Sequence, residues 1–322
     1  MEPITYDLPL AVPFRGLTRR QGMVWQGAAG WGEFSPFAEY SVAECQPWYR
    51  AAQEVAELGW PAAQRSLVPV NVTVPAVGPD QAERLVANSG GCTTAKVKVA
   101  QPGQDLADDL ARVAAVRAAV GPAGQIRVDA NGAWTVEQAA NNLAKLDKAA
   151  GGLQYAEQPC RTVEELARLR RKTKVPIAAD EAIRNRADPL EVKRLDAADV
   201  VVLKVQPLGG VRACLELAEQ IGLPVVVSSA VESVVGIAMG LALAAALPQL
   251  ELACGLATGQ LLTSDLAERA FTVSNGMIKA QPALVQAECL DKARAAPATQ
   301  RWWQDRLQAV QMAAAQDHQG AA

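Results

Sequence analysis

Six charged residues in the middle of the chain have the types and spacing for abstracting a proton beside a carboxylate. They are Lys96, Lys98, Asp129, Glu157, Asp180 and Lys204. From Lys98 onward the gaps are 31, 28, 23 and 24 residues. Each residue ends a short apolar, β-type run, and a helix-like segment follows each run. That rhythm is one strand–helix unit per gap. It places the six charges at the C-terminal ends of successive strands of a (β/α) barrel, where such barrels keep their active sites.

Strand geometry orients them. Residues i and i+2 share a face about 6.6 Å apart, so Lys96 and Lys98 point the same way. The sixth strand lies across the barrel from the second, so Lys204 should face Lys98, with the three carboxylates on the arc between. Oxygen-only ligands select a hard cation, Mg2+ or Mn2+. Such an ion would act as a Lewis acid on a substrate carboxylate. An ordinary lysine, with a pKa of about 10.4, is mostly protonated at neutrality. A neighbouring ammonium and a divalent cation both lower that value, toward one useful for a general base. Lys98 is therefore assigned as the base and Lys96 as the neighbour that tunes it. Singly, a Lys-x-Lys is more often a solvated strand edge and a strand-end carboxylate a cap or surface charge. Together, in phase on consecutive strands, they form a site.

The elements that must carry these residues can be read in order. Residues 1–66 look like an α+β capping domain. It should have a hairpin from segments 4–12 and 23–28 around a polar turn at Thr18-Arg19-Arg20-Gln21-Gly22, then a strand and turn at 30–37. Two helices are expected near 42–52 and 53–59. Its aromatic residues form a small core on the plain reading; on the sharper one, a loop here lies over the barrel mouth. Residues 67–262 hold the barrel. Strands are expected at 67–74, 95–99, 126–129, 153–157, 176–180, 200–204, 224–228 and, more polar, 251–255. Helices fall between them, with capping-box signals at Thr135/Gln138 and Thr162/Glu165. Residues 263–322 should return to the cap through a hairpin of 271–273 with 277–280 around Asn275-Gly276. A helix from Pro297 follows, and the last ten residues or so are expected to be disordered.

Other inward positions leave alternatives open. Arg127 shares a face with Asp129 and suits either an ion pair with it or an anionic substrate group. Ser228 and Ser229 suit hydroxyl contacts to substrate or ordinary helix capping. Gly255 suits close backbone approach to a ligand or a turn.

Composition narrows the classes. Half the residues are apolar, a fifth are charged, and the net charge is −3. No dominant sign points to nucleic acid or a membrane surface. The start, Met1-Glu2-Pro3, has no signal-peptide pattern, and the most apolar window, 236–247, is short enough to be a buried helix. Six scattered cysteines without a Cys-x-x-Cys pair read as reduced thiols of a cytoplasmic protein. The only histidine, His318, lies in the tail, so acid–base work falls to other groups. A monomer or weak homo-oligomer acting on a small-molecule carboxylate is expected.

Lys96-Val97-Lys98, Asp129-Ala130-Asn131-Gly132-Ala133-Trp134, Tyr155-Ala156-Glu157-Gln158-Pro159, Ala179-Asp180-Glu181 and Leu203-Lys204 resemble the enolase superfamily, in its muconate-lactonising-enzyme-like group. The short hairpin turn at Arg19-Arg20 and stretches 30–37, 204–210 and 227–233 look most like the o-succinylbenzoate synthases of actinobacterial type. The resemblance spans nearly the whole chain. It implies a modified (β/α) barrel with an α+β cap built from both termini. The implied reaction is dehydration of 2-succinyl-6-hydroxy-2,4-cyclohexadiene-1-carboxylate to 2-succinylbenzoate, in menaquinone biosynthesis. By position, Lys98 would remove the proton and return it to the departing hydroxide in a syn elimination. Lys204 would stabilise the enediolate. Asp129, Glu157 and Asp180 would hold Mg2+, and Arg127, Ser228, Ser229 and Gly255 would contact substrate. Ala257 departs from the family, where related chains commonly have Asp. Racemases of N-acylamino acids and epimerases of dipeptides, which use the same two lysines, are the alternative. A catalytically silent barrel would have lost one of the six residues, and this chain has lost none.

Overall fold

The structure is a computed structural model that describes residues 2–14, 16–184, 188–268 and 271–320. The cap begins with β1 (Ile4–Phe14) and β2 (Leu17–Gln26), an antiparallel hairpin extended by β3 (Trp31–Phe34). The polar run 18–22 is strand, not turn: Asp7 pairs with Gln21 and Leu8 with Arg20. Arg15 lies outside the described residues, and Gly16, at φ 75°, takes part in the reversal. The run stays extended because its charges find partners on alternate faces. Arg19 reaches Asp7 at 2.7 Å on the outside. Arg20 turns inward to the carbonyls of Ala230 and Ser35.

One helix replaces the two expected. α1 (Val42–Leu58) starts at a Ser41/Glu44 capping box and carries one continuous buried stripe through Trp48, Ala52, Val55 and Ala56. Nothing at Gln53 interrupts that stripe, so packing holds the helix together past the expected break.

The barrel follows in chain order: β4 (Leu67–Pro69), β5 (Val72–Val74), α2 (Pro79–Ala87), β6 (Thr94–Lys98), α3 (Leu106–Val120), β7 (Gln125–Asp129), α4 (Val136–Ala150), β8 (Tyr155–Glu157), α5 (Val163–Arg170) and β9 (Ile177–Ala179). Then come two short helices, α6 (Glu181–Arg184) and α7 (Glu191–Arg194), and β10 (Val200–Leu203), α8 (Val211–Ile221), β11 (Val225–Val227) and α9 (Val234–Ala246). β5 to β11 form one parallel sheet in sequence order. Both predicted capping boxes are present, on α4 and α5.

The sheet curls to closure without a full eighth strand. The segment expected as that strand contributes two bridges, Ser228 with Gly255 and Val70 with Cys254. The Gly255 N–H donates to Val227 O at 2.8 Å and the Cys254 N–H to Pro69 O at 2.7 Å. The first strand is split as well: β5 joins the barrel, while β4 pairs antiparallel with β12 (Met277–Lys279). The expected hairpin of 271–273 with 277–280 is therefore only a bridge between Ser274 and Met277. A local turn signal says nothing of which strand edge lies within reach, and the edge of β4 was the longer partner.

Period-two patterning sets the interior. Ala95, Val97, Ile126 and Val128 face the helices in the large core, while Tyr155, Ala178, Val200, Val202 and Val226 pack inside the barrel. α9 is buried along its whole length, which accounts for its apolar sequence; no described helix is long and apolar enough to cross a membrane. All six cysteines are unpaired thiols.

After Ala280 the chain does rejoin the cap. The Asp7 N–H donates to Ala293 O and the Ala295 N–H to Thr5 O, around α10 (Ala287–Lys292). α11 (Pro297–Gly320) then packs Trp303, Leu307 and Val310 against Phe34 and Trp48. The helix runs on to Gly320, through most of the tail expected to lack structure; residues 321 and 322 lie outside the described residues.

Candidate active site

The six predicted residues meet at the C-terminal ends of β6 to β10. Register aligns Lys98 with Asp129 and Asp129 with Glu157; Asp180 and Lys204 directly follow β9 and β10. All six are buried. Lys98 Nζ lies 2.6 Å from Asp129 Oδ2, and Lys96 Nζ lies 3.2 Å from the same oxygen and 2.8 Å from Glu157 Oε1. Lys204 Nζ is 2.6 Å from Asp180 Oδ2, and Arg184 Nε is 3.0 Å from Asp180 Oδ1. Buried charges persist only when paired in this way.

The two lysines of β6 are driven apart. Burial works against the Lys96 ammonium, but Glu157 and Asp129 outweigh it and raise its pKa, so it stays a cation. For Lys98, burial, reinforced by Lys96, overcomes Asp129 and lowers the pKa. Divergent neighbours of this kind mark acid–base assignments. Asp129 and Asp180 are penalised by burial, yet nearby cations hold both well below the usual carboxylate range. Glu157 goes the other way, pushed up to about 7 by burial and the Asp129 charge. Its Oε2 is buried with no hydrogen-bond partner among the described residues.

Among the described residues no three acidic, thiol or imidazole groups converge tightly enough to enclose an ion; each carboxylate leans toward its ammonium partner. The donor set still fits a hard divalent cation. Three buried carboxylates stand on successive strand ends, every donor is oxygen, and Glu157 Oε2 is an unused acceptor.

Lys96, Lys98, Lys204, Ser228 and Ser229 line one cleft. The cap covers it, as the sharper reading of the N-terminal segment expected. Phe14, at the end of β1, and Phe37 both line the cleft, and the Phe14 ring centroid lies 5.3 Å from Lys98 Nζ. Thr73, Asn131 and Thr258 also line it. None of these five was singled out from sequence. Asn131 and Phe37 lay within stretches that carry the resemblance, but with no role given to either; all five become neighbours of the site through tertiary folding.

Arg127 and Gly255 are placed differently from Ser228 and Ser229. Arg127 makes no ion pair with Asp129. Its guanidinium donates to Gln154 Oε1 at 2.6 Å, Ala253 O at 2.6 Å and Asn71 Oδ1 at 3.2 Å, and stacks over Tyr155. These partners sit at the opposite ends of the strands, so Arg127 forms the barrel floor, below the cleft. Gly255 packs against the serine loop: a Cβ there would come within 2.6 Å of the Ser228 hydroxyl oxygen. Its carbonyl accepts from Ser229 Oγ at 2.9 Å. It shapes the loop that carries the two serines.

The cap is fastened to this loop by buried carboxylates. Glu33 Oε1 accepts from Tyr6 Oη at 2.8 Å and Ser35 Oγ at 2.7 Å, and Oε2 accepts from the Gly236 N–H of α9 at 2.8 Å. Glu232 beside it accepts from the Ala230 N–H at 2.6 Å, and burial together with Glu33 raises its pKa to about 7. A carboxyl raised in this way favours the folded state below its unfolded pKa of about 4.5, and that contribution is lost as pH rises through 7. Glu232→Gln is therefore expected to raise stability at pH 8 by up to about 3 kcal/mol and to leave it unchanged at pH 4. Urea titrations at the two pH values measure this; equal shifts at both would show that Glu232 ionisation carries no such cost.

Comparison with known proteins agrees with this architecture. The enolase C-terminal domain-like family model matches residues 79–284, and the enolase N-terminal domain-like model matches residues 5–56. The o-succinylbenzoate synthase of Thermobifida fusca (strain YX) is 57% identical, covering 96% of this chain and 95% of its own. That of Mycobacterium marinum (strain ATCC BAA-535 / M) is 53% identical, covering 94% and 91%. Among solved structures, muconate lactonizing enzyme from Pseudomonas fluorescens matches with a TM-score of 0.77 at 20% identity, over 91% of this chain and 98% of that one. The L-Ala-D/L-Glu epimerase from Bacillus subtilis matches at 0.74 and 23%, over 88% and 96%; at such identities these two speak to the fold alone. Carrying both enolase domain matches, and identical to those synthases at more than half of the aligned positions over nearly all of both chains, the chain belongs to the o-succinylbenzoate synthase family of the enolase superfamily.

Proposed function

We propose that the chain is a carbon–oxygen lyase that dehydrates 2-succinyl-6-hydroxy-2,4-cyclohexadiene-1-carboxylate to 2-succinylbenzoate, a step of menaquinone biosynthesis. The observation that carries this is one cleft lined by both Lys98 and Lys204, above three buried carboxylates, in a chain 57% identical to a protein of that name. Neutral Lys98 takes the proton from the ring carbon bearing the carboxylate, and the electron pair moves into that carboxylate as an enediolate. Lys204, an ammonium at the same cleft, donates to the enediolate oxygen where charge develops. The pair then returns to the ring, the C–O bond to the hydroxyl breaks, and protonated Lys98 gives its proton to the leaving hydroxide. Water and an aromatic ring result, and Lys98 ends neutral. Lys96 stays charged throughout and keeps Lys98 a weaker base than in water.

Enolase-superfamily enzymes generally use a divalent metal. Here Asp129, Glu157 and Asp180 would hold Mg2+ or Mn2+, which supplies Lewis-acid stabilisation of the substrate carboxylate. Ser228 and Ser229 would orient the substrate from the cleft wall. Arg127 and Gly255 would serve by holding the floor and the serine loop. Segments 1–66 and 263–322 would together close the site over the barrel of 67–262. The reading carries with it a cytoplasmic enzyme, monomeric or weakly self-associating, whose partner is a small carboxylate rather than nucleic acid or membrane.

The test is a spectrophotometric assay of the purified protein with the cyclohexadiene substrate and Mg2+. Loss of the diene absorbance, abolished by chelator and restored by excess Mg2+, is the expected result. Mg2+ at a hundred times its Kd should also stabilise the protein by about 2.7 kcal/mol. No turnover, with racemisation of an N-succinylamino acid instead, would reassign the reaction to the racemase class.

A further inference from the structure

Lys98 has two hydrogen-bond acceptors, and only one of them belongs to the proposed metal set. Asp129 Oδ2 is the first; Asn131 Oδ1, at 2.8 Å, is the second. A carboxylate committed to a divalent cation is a poor partner for an ammonium beside it. The base then needs another group to hold it toward substrate. The amide Oδ1 of Asn131 lies outside the three carboxylates, so it can keep its N–H from Lys98 whichever way those carboxylates turn.

The amide is fixed in both position and sense. Asn131 has φ 48°, a left-handed conformation that asparagine tolerates better than most residues. Its Nδ2 donates to Glu181 Oε1 at 3.2 Å. A carboxylate can only accept, so the nitrogen must face Glu181 and the oxygen must face Lys98. Arg184 Nη2 holds the same Glu181 oxygen at 2.7 Å, and Arg184 is itself held by Asp180 and by Tyr40 of the cap at 2.8 Å.

We propose that Asn131 is the positioning residue for Lys98, holding its Nζ by one N–H so that the amine lone pair is presented to the cleft. This rests on Lys98 being the base, and the test separates the two ideas. Asn131→Gly removes the amide while permitting the positive φ, and keeps the backbone N–H that donates to Asp129 Oδ1 at 3.1 Å. The variant, the wild type and Lys98→Ala are compared in steady-state kinetics, in calorimetric titration with Mg2+, and in thermal unfolding. The expected result is a kcat about 100-fold lower, the cost of a misplaced catalytic group, with KM and Mg2+ affinity within about threefold of wild type. A kcat within about threefold of wild type, while Lys98→Ala is inactive, overturns the positioning role alone. So does a loss of Mg2+ affinity that matches the loss of kcat, since Asn131 would then be acting on the carboxylates. An active Lys98→Ala overturns the base assignment, and the positioning role with it.

Discussion

Lys98→Ala is expected to lower kcat by about 10³-fold or more, because one side chain performs both proton transfers of the elimination. Lys98→Arg should be as inactive. It keeps the charge beside Asp129, 2.6 Å from Nζ in the native site, but a guanidinium cannot give up a proton near neutrality. Lys204 offers the contrast. Its role is to be a cation, so Lys204→Ala should cost about 10² to 10³-fold, while Lys204→Arg should recover part of that. The four variants are compared by loss of diene absorbance under saturating Mg2+, with circular dichroism to confirm folding. Substantial activity in Lys98→Arg would show that the residue acts by charge, and the base would have to be sought elsewhere. Lys96 is not a substitute, since its carboxylate partners keep it protonated.

The largest effect on stability is expected at Glu33. It is fully buried and receives hydrogen bonds from Tyr6, Ser35 and Gly236, which belong to β1, the loop after β3 and α9. Glu33→Ala would leave these donors buried without an acceptor, at about 1–3 kcal/mol for each that water cannot reach. A total near 4 kcal/mol is expected, read as a lower urea midpoint with an unchanged slope. A loss below about 1 kcal/mol would mean that the donors find other partners and that Glu33 is not the fastening. Because Arg20 ties the same hairpin to Ala230 O, beside the two serines, the variant should also raise KM more than it lowers kcat.

Much of this molecule was legible in its sequence. The six charged residues at strand ends could be placed on one barrel rim, because a side-chain period of two and a strand–helix repeat leave few other arrangements. Capping boxes on α4 and α5 and the buried character of α9 were likewise local facts, written in neighbouring residues. What failed were readings that depended on a distant partner. The polar run 18–22 reads as a turn until Arg20 is given Ala230 and Ser35 to bond with. The Asn275-Gly276 signal reads as a hairpin until β4 offers β12 a longer edge. Arg127 could be placed on the inward face but not at a height, and its partners Gln154, Asn71 and Ala253 hold it at the floor. Phe14, Phe37, Thr73 and Thr258 carry no chemical signature of their own. They belong to the site because the cap and the closing loops bring residues remote in sequence over one rim. Periodicity along the chain determined which residues share a face; only the contacts between segments, set by burial and hydrogen-bond satisfaction, decided what each face meets.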